Sequence, residues 1–138
     1  VFTKILVPVD LAHADRQTRA LDCAADIAGL YNAQIILVGV TTEAPSAIAR
    51  NHEEYAAKLA QFAQDLASRK SREVTSQVMI AHDPTADLDV SLLKAIRVSG
   101  ADLVVMSSHD PGMTSYIWPS NGGKVAGHAH VTVMVVRD

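Results

Sequence analysis

The sequence predicts an α/β sandwich: a five-stranded, mostly parallel sheet with helices on both faces. Three observations carry this expectation. Short β-branched apolar runs alternate with longer amphipathic patterns, no run of consecutive strands interrupts the alternation, and 138 residues with 49% hydrophobic content suit one packed core spanning residues 1–138.

The first strand is Lys4 to Val9, whose continuous apolar run predicts burial on both faces. A helix follows from about Ala14 to Tyr31, with Ala20, Ala24, Ile27, Ala28 and Tyr31 on one stripe. Ile35 to Val40 is the second strand, and Thr41 to Asn51 a polar loop containing Pro45. The second helix carries Ile48, Tyr55, Leu59, Phe62 and Leu66 on its apolar stripe. Arg69, Lys70 and Arg72 cluster at its end, where cations complement the helix dipole. Val74 to Ile80 alternates as an edge strand does. The third helix runs from about Ala86 to Val98 and stops at Gly100. Leu103 to Met106 is the fourth strand and Val131 to Val136 the fifth, with a loop and short helix between them.

Composition narrows the function. The formal charge of −3 and 4% aromatic content supply neither a basic nucleic-acid surface nor a base-stacking platform. No apolar run approaches a membrane span, and no secretory leader opens the sequence. Cys23 is the only cysteine, one helical turn from Ala20 and Ile27, and reads as a small buried apolar residue in a reduced, cytoplasmic protein.

In a parallel sheet of this kind, ligands sit beyond the carboxyl ends of the strands, where the strand order reverses. Asp10 stands at the end of the first strand, placed either to meet a ribose or magnesium ion or to cap the next helix. After the fourth strand come Ser107, Ser108, His109 and Asp110, and later Ser120, Asn121, Gly122 and Gly123. Ser120 or Asn121 would open a short helix whose free amides can hold an anion. A Gly-x-Gly-x-x-Gly fingerprint and a complete P-loop are both absent, as is the His-x-x-His pair of related nucleotidyl transferases. His128 and His130 lack an evident third metal ligand. Ser108, His109 and Asp110 are sequence neighbours, an unsuitable source of a hydrolytic triad.

The segments Lys4 to Asp10, Ile36 to Val40, Ala101 to His109, Ser120-Asn121, His128-Ala129 and Val133 to Val136 together resemble the universal stress protein family. The resemblance covers essentially the whole chain in order. It is closest to a subgroup with Ser-His-x-Pro after the fourth strand and a later Ser-Asn pair. It implies a sheet of strand order 3-2-1-4-5 and dimerisation through Val131 to Val136. It also implies an adenine-nucleotide crevice whose matching positions are Pro8, Val9, Asp10, Val40, Met106, Ser107, Ser108, His109, Asp110, Ser120 and Asn121.

The family's phosphate-loop glycines fall at Ser107, Asp110 and Pro119 in this chain, and its Gly-x-Pro after the third strand at His82-Asp83-Pro84. The resemblance therefore implies ATP as ligand, held weakly with magnesium or lost altogether. The leading expectation is a dimeric stress-response module that binds a nucleotide rather than turning it over. The alternative is a family member that has lost the nucleotide and acts through protein partners alone.

Overall fold

Continuous apolar runs decide where the central strands fall. The computed structural model describes residues 1–46, 48–83, 87–108 and 121–137, the side chains of 121–124 excepted. Its strands are β1 (Lys4–Pro8), β2 (Gln34–Thr41), β3 (Val74–Ile80), β4 (Leu103–Ser108) and β5 (Thr132–Arg137). The helices are α1 (Thr18–Tyr31), α2 (His52–Lys70), α3 (Leu88–Ser99) and α4 (Asn121–His128). The sheet is parallel throughout in the order β3-β2-β1-β4-β5, as the resemblance implied.

Alternate residues of the central strands point to opposite faces, so two cores form. Ile5, Val7, Ile35, Leu37, Leu103 and Val105 pack with Ala24 and Ala28 of α1 and Leu59 and Leu66 of α2. Leu6, Val38, Val104 and Met106 pack on the other face with Leu92 and Ala95 of α3 and Val125 of α4. The edge strands β3 and β5 are half-buried at best, and the sequence of β3 alternates accordingly.

Two sequence expectations need correcting. The first helix does not start at Ala14: Leu11–Gln17 is a 3-10 segment broken at His13, and α-helical geometry begins only at Thr18. Tighter winding there follows from side chains that hold the segment to the strand ends, described below. Cys23 is not fully buried. It lies on the flank of the α1 stripe, its Sγ 3.6 Å from Met134 Sδ of β5.

The helix ends follow the chemistry read from the sequence. Gly100 takes φ +73° as the left-handed cap of α3. Lys70 at the end of α2 pairs with Asp22 of α1 at 2.9 Å, and Arg72 Nε donates to the Ala25 carbonyl at 3.0 Å. These cations tie two helices together. Asp102, just before β4, accepts from the amides of Thr3 and Lys4. Burial favours the protonated form of Asp102, but these hydrogen bonds outweigh it and hold the carboxyl below its usual range. Among the described residues no helix is long and apolar enough to cross a membrane.

Candidate functional site at the carboxyl ends of β1 and β4

The strand order reverses between β1 and β4, and there the sheet opens. Their ladder consists of Ile5↔Leu103 and Leu6↔Val104 among the described residues. Pro8 explains why it runs no further. Val9 donates to Val38 of β2 at 2.8 Å, so the alternation of a strand turns the backbone groups of Pro8 toward β4. Pro8 has no N–H to offer on that side.

Gln17 spans the opening. It is 2% exposed, and its amide group is fully engaged at three partners. Nε2 donates to the Pro8 carbonyl at 3.1 Å and to Ser107 Oγ at 3.2 Å, while Oε1 accepts from the Asp10 amide at 2.8 Å. One buried side chain thus ties the ends of β1 and β4 together, and unpaired groups there would be costly. Gln17 lies outside the motifs read from the sequence. Its signal was present: Gln17 continues the stripe of Ala20 and Ala24 backward by one turn, a polar residue in an apolar row.

Asp10 is 5% exposed and has both oxygens engaged. Oδ1 accepts from the Ala12 amide at 3.1 Å, capping the 3-10 segment. Oδ2 lies 2.9 Å from His13 Nδ1. The capping role weighed from sequence is therefore realised, with an imidazole added that sequence reasoning missed. Across α2, Tyr55 packs over Gly39 of β2. A Cβ at Gly39 would lie 2.6 and 2.8 Å from Tyr55 ring and hydroxyl atoms, so only glycine leaves room for the ring. Burial pushes the Tyr55 phenol up to about 12, with the Asp10 charge adding to the rise and a backbone hydrogen bond at Leu11 opposing it.

The remaining predicted residues distribute over both walls of this opening. Val9 faces the α1–α2 core, and Val40 and Met106 face the α3–α4 core. Ser108 is half-buried at the end of β4. The backbone of Asn121 opens α4. His109, Asp110 and Ser120 lie outside the described residues. Thr41 is buried at the end of β2, and beyond it a hollow of about 210 Å³ is lined by Thr42, Glu43, Ile80, Ala81 and His82. Among the described residues no group of three or more His, Cys, Asp or Glu side chains forms a metal cage.

Polarity is thus concentrated at one end of the sheet. Of the five buried polar residues among those described, Asp10, Gln17, Thr41 and Ser107 sit at or just past the carboxyl ends of β1, β2 and β4, and only Ser91 lies elsewhere. Apolar cores tolerate such groups where they are mutually satisfied, and a ligand crevice is where a parallel sheet places them.

The profile of the Universal stress protein family matches residues 2–137, and the chain belongs to that family. Solved structures share its fold over nearly the whole length. A universal stress protein crystallised in complex with cAMP is 21% identical, with a TM-score of 0.69 over 98% of this chain and 97% of its own. The universal stress protein from Archaeoglobus fulgidus in complex with dAMP is 19% identical, with a TM-score of 0.66 over 98% of each chain. A family protein from Arabidopsis thaliana with AMP bound is 15% identical, with a TM-score of 0.66 over 98% of this chain and 91% of its own.

Proposed function

We propose that this protein is a cytoplasmic, dimeric stress-response module that binds an adenine nucleotide in the opening between β1 and β4 and acts through binding rather than turnover. The observation that carries the reading is the set of satisfied buried polar groups at that opening, Asp10, Gln17 and Ser107, in a sheet otherwise packed with apolar side chains. Structures of the same fold hold cAMP, dAMP and AMP, which supports an adenine nucleotide as the ligand class.

Binding is weak and magnesium-dependent in this proposal. Ser107, Asp110 and Pro119 stand where the related motif has glycines, so a carboxylate replaces a glycine of the phosphate-loop motif at Asp110. Two unit charges about 5 Å apart repel by roughly 3 kcal/mol at an effective dielectric near 20, on the order of a hundredfold in affinity. Dimerisation is proposed through β5, whose Met134 and Val135 are exposed on a sheet edge that would otherwise invite aggregation.

Ser107 also favours a second reading. Its hydroxyl is engaged with Gln17, and the replaced loop glycines remove backbone freedom near a phosphate, as in a member that has lost the nucleotide and works through protein partners. Native mass spectrometry of gently purified protein separates the two. A dimer carrying adenine-nucleotide mass supports the first reading. A dimer that stays bare with millimolar ATP and magnesium favours the second.

A further inference from the structure

A hollow lies at the opposite end of the sheet from the polar opening. It has a volume of about 290 Å³ and sits where α3 and α4 end and where β4 and β5 begin. Ile96, Ala101 and Val131 give it an apolar floor, while Arg97, His128 and His130 stand at its rim. No carboxylate of the described residues lines it. Among the described residues Arg97 makes no ion pair or hydrogen bond to another side chain.

We infer that this hollow is a second ligand site, independent of the nucleotide opening, for a small carboxylate with an apolar tail. The chemistry of the lining selects that class. An apolar floor rewards burial of a hydrocarbon chain, and the planar guanidinium of Arg97 can grip a carboxylate through two parallel hydrogen bonds. The His130 imidazole carries at least one N–H in any tautomer and can donate to the same anion. The volume lies just below the range of roughly 300–1,000 Å³ typical of ligand pockets, which limits the tail to a short chain.

The test is an amide chemical-shift titration of the full chain with sodium hexanoate and sodium octanoate, with 1-octanol as the uncharged control. Saturable one-to-one binding is expected, with shifts centred on Ile96, Arg97, Ala101 and residues 128–131. Octanoate should bind about fourfold more tightly per added methylene than hexanoate, and 1-octanol at least tenfold more weakly than octanoate. Arg97→Gln should weaken octanoate tenfold or more without altering the thermal midpoint, because Arg97 is exposed and carries no internal partner. Ala129→Leu, which narrows the hollow, should favour hexanoate over octanoate. Non-saturating shifts spread over the surface, shifts centred on Asp10 and Ser107, or equal affinity of wild type and Arg97→Gln would each overturn the proposal.

Discussion

The Asp10 carboxylate and the His13 imidazole meet at 2.9 Å just beyond the end of β1. The carboxylate at the end of β1 is therefore a structural cap, holding both the Ala12 amide and an imidazole. Asp10→Ala should lower stability by about 2 kcal/mol, since a helix cap is lost and its amide is left beside a buried position. Asp10→Asn keeps a capping oxygen and should cost less than half as much. Urea denaturation of the two variants checks this; equal losses would show that charge, not capping, is what Asp10 contributes.

Gln17 should be the more sensitive position. Replacing it with leucine leaves the Asp10 amide, the Pro8 carbonyl and the Ser107 hydroxyl without their partner, a loss on the order of 3 kcal/mol. Gln61, on the exposed side of α2 with Asp65 as its partner, should tolerate the same change within about 0.5 kcal/mol. Comparable denaturation midpoints for the two variants would contradict the role assigned to Gln17.

Tyr55 gives the fold an alkaline weakness. Its phenol is pushed up to about 12 in the folded protein, against an ordinary value of 10. Between those values the unfolded chain releases the proton while the folded chain keeps it, so stability falls as pH rises above about 10. Tyr55→Phe should remove most of that slope. Denaturation series from pH 8 to 11.5 provide the check, and an unchanged slope in the variant would refute the assignment.

Gly39 and Tyr55 should be coupled. Gly39→Ala alone forces a Cβ against the ring and should cost about 2 kcal/mol. In a Tyr55→Leu background the same substitution should cost markedly less, because the nearest obstructing atoms are gone. A double-mutant cycle measures the coupling, and additive losses would mean that the ring moves aside without penalty.

The fold was legible because its signals are long and repeated: continuous apolar runs for β1, β2 and β4, and helical stripes such as Tyr55, Leu59 and Leu66. The site was legible only in part. Asp10 announces itself by following a strand, whereas Gln17 acts through partners 9 and 90 positions away in sequence, and only the folded sheet brings these together. The break at His13 was hidden for the same reason. Helical periodicity continues through it in sequence, while the competing bonds to Asp10 and from Gln17 exist only in the tertiary structure.

The nucleotide site is tested most directly by a calorimetric titration of the protein with ATP and AMP, with and without magnesium, repeated on Asp110→Gly. Weak ATP binding that requires magnesium is expected of the wild type. A gain of up to about a hundredfold is expected on Asp110→Gly, which removes one negative charge from the phosphate-loop motif. Tight, magnesium-independent ATP binding that Asp110→Gly leaves unchanged would contradict the proposed function, as would the absence of any nucleotide binding in both proteins.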